Sequence, residues 1–186
     1  MFVKICGITN RDDALAAVDA GARALGFIFY SKSPRHTSAR ELESWVGDIP
    51  AGVWKVGIFV DEEQSVIEQI ALQLQLDIAQ LHGAETPEQH PRNLRIWRAF
   101  RKNADLEYPA EAILLDSSEL RTHFCRTEAP SPGRIIIAGG LNAENVREAI
   151  DNTHPWGVDV ASGVESSPGR KDHARMKLFI KAALSS

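Results

Sequence analysis

RIIIAGGLNAENVREAI, residues 134–150, decides the fold. A β-branched run, Arg134 to Ala138, is apolar on both alternating sets of positions, which suits a strand buried on both faces of a parallel sheet. Two glycines follow, and the spacing then predicts a helix over 142–151. GVDVASGVE, residues 157–165, repeats the strand-then-glycine order. Strand, glycine turn and helix in succession are the parts of a βαβ unit.

Six more runs of strand length lie upstream: FVKIC (2–6), ALGFIF (24–29), WKVGIF (54–59), IAQL (78–81), RIWRAF (95–100) and AILLD (112–116). Helical patterns separate several of them. Residues 12–22 carry Ala14, Leu15, Val18 and Ala22 at helical spacing, with Asn10 or Asp12 as cap. Residues 62–76 carry Val66, Ile67, Ile70 and Leu74 behind an acidic first turn, and 171–184 repeat the pattern. Eight strands, most followed by a helix, predict an α/β fold: a (β/α)8 barrel of the TIM type, one domain over residues 1–186. An open doubly wound sheet is the alternative. The chain is short against the ~250 residues usual for such a barrel, and 101–108 and the segment after Asp116 are the thin places.

With 44% hydrophobic residues in 186, one sizeable core is possible. A net charge of −4 gives no footprint for nucleic acid or an anionic membrane surface, and no apolar run approaches the ~20 residues of a membrane span. Lys4, Cys6, Asp12 and Asp13 interrupt the start, so no signal peptide is expected there. Two cysteines, Cys6 and Cys125, make no disulfide framework and fit a reduced, cytoplasmic setting. A monomer and a homodimer both remain open.

In a barrel, reactive groups belong at the carboxyl ends of the strands. Those ends carry Cys6, Tyr30 with the loop to Arg35, Asp61, Gln80 with His82, Arg101, Asp116, Gly139–Gly140 and Ser162–Gly163. Singly, each has an ordinary explanation. A lone cysteine in an apolar strand is more often a small core residue, Asp116 could cap a helix, His82 could bond a loop, and Arg35 could be a solvated charge. The glycine stretches say more, because loops after strands seven and eight form the phosphate site of many barrels. A thiol and a carboxyl flanking one pocket can act as base and acid, and an arginine can fork onto a carboxylate. The pattern predicts an acid–base enzyme for a small phosphate ester, with no metal cluster and no dinucleotide or flavin fingerprint. Lys4 lies two residues from Cys6 on the same face of the strand; it either lowers the thiol pKa or makes a structural ion pair.

KICGIT (4–9), GFIFYSKSPR (26–35), VGIFVDE (56–62), QLHG (80–83), ILLD (113–116), AGGLNAENV (138–146) and DVASGVESSPGRKD (159–172) occur in this order. Together they resemble the phosphoribosylanthranilate isomerase family, barrel enzymes of tryptophan biosynthesis. The resemblance implies an Amadori rearrangement of N-(5-phosphoribosyl)anthranilate to 1-(o-carboxyphenylamino)-1-deoxyribulose 5-phosphate, without cofactor or metal. Cys6 would be the general base and Asp116 the general acid. Arg35 would hold the anthranilate carboxylate, with Gln80, His82 and Asp159 also on the substrate, and Gly139, Gly140, Ser162 and Gly163 on its phosphate. The alternatives are a related sugar-phosphate barrel enzyme, such as an indole-glycerol-phosphate synthase, and a non-catalytic phosphate-binding barrel. The synthase reading is the weaker, because this sequence places no lysine as its acid on a strand tip other than Lys4.

One feature departs from the family. Its glycine-rich loop after the sixth strand has no counterpart, because Asp116 runs straight into SSELRTHF (117–124). Either the third part of the phosphate cradle is lacking, or residues are missing there; the second reading expects a break at Ser117–Ser118.

Overall fold

The computed structural model describes residues 1–101, 104–116 and 134–185. Eight parallel strands close into a barrel in chain order: β1 (Phe2–Cys6), β2 (Ala24–Ile28), β3 (Trp54–Phe59), β4 (Ile78–Leu81), β5 (Arg95–Phe100), β6 (Ala112–Asp116), β7 (Arg134–Ala138) and β8 (Gly157–Val160). Each coincides with its expected run to within one residue. The Ser117–Ser118 junction lies outside the described residues.

Period-two alternation divides the apolar residues into two cores. Val3 and Ile5 of β1 and Leu25 and Phe27 of β2 face outward into a shell shared with the helices. Phe2 and Cys6 face the lumen with Ala24, Val56, Ile78, Trp97, Leu114 and Ile136. The floor of the lumen is aromatic. Phe2 stacks on Trp156 at 4.2 Å between ring centroids and tilts against Trp54 at 5.0 Å, while Trp97 meets Trp54 and Trp156 nearly edge-on. Arg95 lies 3.9 Å over Trp54 and Arg134 4.6 Å over Trp156, and Glu111 binds both guanidinium groups. These contacts seal the amino end and leave polar groups to the other end.

Helices clothe the barrel unevenly. Helix α1 (Arg11–Ala20) is capped by Asn10, one of its two expected caps, and ends at Gly21 with φ 107°. A short α2 (Ala39–Glu43) with a Ser38–Glu41 capping box went unforeseen. Helix α3 (Gln64–Leu74) leaves Glu62 and Glu63 ahead of its first turn, not within it. Helix α4 (Val146–Thr153) starts four residues after Asn142. The Asn142 side chain accepts from Glu144 N and Asn145 N, and Asn145 binds Asn142 N and the Gly140 carbonyl, which turns 142–145 into a buckle. Helix α5 (His173–Leu184) begins after its Asp172 cap. Lys171 belongs instead to β10 (Arg170–Lys171), paired antiparallel with β9 (Glu165–Ser167). Between β4 and β5 only one 3-10 turn, Pro87–Gln89, occurs, and residues 104–111 form no helix. Tyr108 covers that flank, donating to the Glu85 carbonyl at 3.0 Å beside His90 at 2.8 Å.

Closure rests on β8 meeting β1, with Phe2, Val3, Lys4 and Ile5 opposite Gly157, Val158, Asp159 and Val160. That register sets Lys4 Nζ 2.9 Å from Asp159 Oδ1, with the lysine fully buried. Losing one partner strands a charge in the lumen. Lys4→Met should therefore lower stability by about 3–5 kcal/mol, the usual effect of breaking a buried pair. Lys4→Met with Asp159→Leu should recover most of that loss. Chemical denaturation of the three proteins measures it; equal stability of the single and double variants would contradict this account.

Candidate active site

The register that buries Lys4 also places Cys6 above it. A Cβ added at Gly26 of β2 would stand 3.0 Å from Cys6 Sγ and 3.1 Å from Lys4 Nζ, so thiol and ammonium share the space that this glycine leaves empty. Burial pushes the Cys6 thiol above its ordinary value; Lys4 opposes the shift and Asp159 adds to it. Burial acts downward on Lys4, but the charges of Asp159 and Cys6 and their hydrogen bonds prevail and raise it. Lys4 is thus both things the sequence offered, a structural ion pair and a cation that favours the thiolate.

Across the mouth, Gln80 of β4 is fully buried and its amide meets His82 Nε2. The Gln80 Oε1 has no partner among the described residues. Burial, then the positive charges of Lys4, Arg101 and Arg98, pull the His82 pKa from 6.5 to about 3, so the imidazole is neutral at working pH. Asp116 ends β6 opposite Ala138 of β7, and a Cβ at Gly139 would fall 2.5 Å from its carboxylate. Only a glycine lets the loop pass so near. Gly139 and Gly140 have φ of 80° and 65°. After β8 a 3-10 turn, Ser162–Val164, and the β9–β10 hairpin fill the stretch ahead of the helix. Gly163 crosses this loop onto the β7 loop: its added Cβ would lie 1.9 Å from the Leu141 carbonyl oxygen.

Arg35 arrives from the loop after β2. Its stem crosses Gly7, where an added Cβ would meet Cδ at 2.7 Å. Its guanidinium forks onto Glu165, Nε to Oε1 at 2.8 Å and Nη2 to Oε2 at 2.7 Å. Arg35 is therefore no loose surface charge. Asp61 and Arg101 were strand-tip candidates of lesser standing. Asp61 proves to be a loop clamp, with φ 50° and its carboxylate on Ala84 N, while its own N–H donates to Glu85. Arg101 is exposed, and its charge acts on His82. Sequence reasoning missed Glu165 and Lys171, whose Nζ is 2.8 Å from Glu165 Oε1. The signal was a carboxylate and a lysine six residues apart around the Pro168–Gly169 turn, inside a motif already singled out.

A closed parallel barrel with a thiol, a carboxylate, an anchored arginine and two interlocked glycine loops at its carboxyl end fits the class of barrel enzymes. Comparison narrows the class. Residues 3–182 match the family model of N-(5'-phosphoribosyl)anthranilate isomerase. The N-(5'-phosphoribosyl)anthranilate isomerase of Solibacter usitatus is 44% identical, with 98% of this chain and 97% of that one covered. Among solved structures, a phosphoribosyl anthranilate isomerase in complex with reduced 1-(o-carboxyphenylamino)-1-deoxyribulose 5-phosphate is 40% identical. It has a TM-score of 0.87 and 98% coverage of both chains. Monomers made from the dimeric Thermotoga maritima enzyme give 41%, 0.86 and 98% of both. The chain belongs to the N-(5'-phosphoribosyl)anthranilate isomerase family, and it is an isomerase. The Solibacter alignment runs over 196 positions against 186 residues here, so the relative carries at least ten residues without a counterpart in this chain.

The neutral His82 makes a pH prediction. Its folded pKa lies below the unfolded value, so the unfolded chain binds more protons between about pH 6.5 and 3. The stability contribution is complete above that window and falls away as the pH drops through it. Denaturation at neutral pH and at about pH 5 should show wild type losing more stability than His82→Asn. Equal losses would mean that His82 is not held neutral.

Proposed function

We propose that Cys6 is the base and Asp116 the acid of the family's reaction. The reaction is the Amadori rearrangement of N-(5'-phosphoribosyl)anthranilate to 1-(o-carboxyphenylamino)-1-deoxyribulose 5-phosphate in tryptophan biosynthesis. The observation that carries this reading is the placement of the two groups. Cys6 ends β1 over Lys4. Asp116 ends β6 against the glycine loop after β7. Both thus face one mouth from different arcs of the barrel wall.

Asp116 gives a proton to the ribose ring oxygen. The ring carbon–oxygen bond breaks, and the anthranilate nitrogen supplies the electron pair that makes a cationic Schiff base. Cys6 as thiolate takes the proton from the neighbouring sugar carbon. The electrons of that C–H bond move toward the nitrogen and give an enolamine, which tautomerises to the ketone. Proton exchange with solvent resets the thiol and the carboxyl. The substrate's own nitrogen is the electron sink, so no cofactor is required.

Burial keeps Cys6 protonated while the site is empty. The cationic Schiff base adds a second positive charge beside Lys4, and opposite charge favours the thiolate. The base is therefore generated where and when the substrate needs it. The backbone of Gly139, Gly140, Ser162 and Gly163 would cradle the phosphate. Gln80, the neutral His82 and Asp159 would meet the sugar and the aminobenzoate, and Arg35 the carboxylate. A reduced, cytoplasmic setting suits a base that must remain a free thiol. Among the described residues no helix is long and apolar enough to cross a membrane.

Cys6→Ala and Asp116→Asn should each lower kcat by at least about 10²-fold, the lower range for positioned acid–base groups, with little change in substrate affinity. Turnover is followed by the loss of anthranilate fluorescence. Near-normal kcat in either variant would remove that residue from its role.

A further inference from the structure

Arg35 has five N–H donors arranged as two forks. One edge is formed by Nε and Nη2, the other by Nη1 and Nη2. Glu165 takes the first: Nε donates to Oε1 at 2.8 Å and to Oε2 at 3.1 Å, and Nη2 to Oε2 at 2.7 Å. Nη1 makes no hydrogen bond among the described residues. The occupied edge is thus the one that fixes the plane and heading of the guanidinium, and the second fork is left over.

Glu165 is itself held from every side. Its side chain is 4% exposed. Lys171 Nζ donates to Oε1 at 2.8 Å and also binds the Ala161 carbonyl at 3.1 Å. Gly169 N reaches Oε1 at 3.4 Å, and Arg175 Nη1 takes the Glu165 backbone carbonyl at 2.8 Å. Beneath the cluster, the buried Asp13 carboxylate binds Lys171 N at 2.9 Å and His173 Nε2 at 2.7 Å, tying the hairpin to α1. Burial alone would raise the Glu165 pKa, but the hydrogen bonds and charges of Arg35 and Lys171 keep it below the ordinary carboxylate range. The carboxylate therefore stays ionised, with two cations bonded to it.

We propose that Glu165 is the positioning residue for Arg35. It spends one edge of the guanidinium to aim the other, Nη1–Nη2, as a pre-set fork at the ring carboxylate of the substrate. Lys171 is the counter-ion that lets a buried Glu165 remain charged. Two cations around one carboxylate leave a net positive charge at the mouth, so the arginine is still attractive to an anion while its geometry is fixed. The arrangement spends little side-chain entropy on binding, since the long Arg35 chain is already ordered across Gly7.

This inference rests on the reading that Arg35 binds the substrate carboxylate, and one set of titrations separates the two. The probes are the reduced product analogue, 1-(o-carboxyphenylamino)-1-deoxyribulose 5-phosphate with its ketone reduced, and the same molecule lacking the ring carboxylate. Arg35→Ala should weaken the first by at least about tenfold and the second by less than about twofold, the loss of a charge-assisted fork. Glu165→Gln should show the same selective loss, raise KM more than it lowers kcat, and add nothing on top of Arg35→Ala. Glu165→Asp keeps the charge but shortens the reach. It should give the same selectivity and serves where the glutamine variant folds poorly. If Arg35→Ala weakens both probes alike, the arginine reading fails and this proposal falls with it. If Arg35→Ala is selective but the Glu165 variants weaken both probes equally, weaken neither, or act undiminished in the Arg35→Ala background, Glu165 is only hairpin structure and the proposal is overturned.

Discussion

The barrel depends on one seam. When β8 closes against β1, the register that pairs Val3 with Val158 also pairs Lys4 with Asp159. A slip of β1 by one residue would turn Lys4 outward and the apolar Val3 and Ile5 inward, leaving Asp159 without its partner. Correct closure is therefore the arrangement in which two opposite charges meet in the lumen and compensate each other's lost hydration. The same seam sets the chemistry. Cys6 continues the inward row Phe2, Lys4, Cys6, so the thiol stands one layer above the ammonium.

Polarity is graded along the lumen for a physical reason. The floor is filled by aromatic rings, with the Trp97 indole N–H buried and unpartnered among the described residues, and at its rim Arg95, Arg134 and Glu111 are half solvated. The middle layer carries one charge pair. The mouth carries groups that a substrate can reach. A buried polar atom without a protein partner, such as Gln80 Oε1, is costly unless something else satisfies it. It lies in the mouth beside His82. Charge in the mouth is also paired locally. Lys4 faces Asp159, and Glu165 faces both Arg35 and Lys171, which leaves one positive charge in excess around Glu165.

Strands were legible because a strand buried on both faces needs a short apolar run, and the sequence supplies eight of them cut off by glycine or polar residues. The helices were legible in kind but not in bounds. Asn142 resembles a helix cap in sequence; in three dimensions it and Asn145 bond the loop backbone, and the helix waits for Val146. Lys171 sits at helical spacing from the residues after it, yet its ammonium is drawn to Glu165 and its backbone into the hairpin. The candidate site was legible as a set of strand tips, since the fold brings all tips together whatever their identity. The pairings within that set were not, because Arg35 and Glu165 are 130 residues apart and no local periodicity couples them.

On the proposed reading, the two glycine loops would make acid and anion site one object. Asp116 lies against Gly139, the Gly140 carbonyl is tied by Asn145, and Gly163 rests on the carbonyl of Leu141. Any side chain at Gly139 would displace the carboxylate, and any at Gly163 would part the β7 loop from the β8 loop. A phosphate held by these loops would therefore be placed at a fixed distance from the acid without touching it. The binding energy of a remote, unreactive group would then orient the ring oxygen toward the proposed acid, which is how such energy becomes rate rather than affinity.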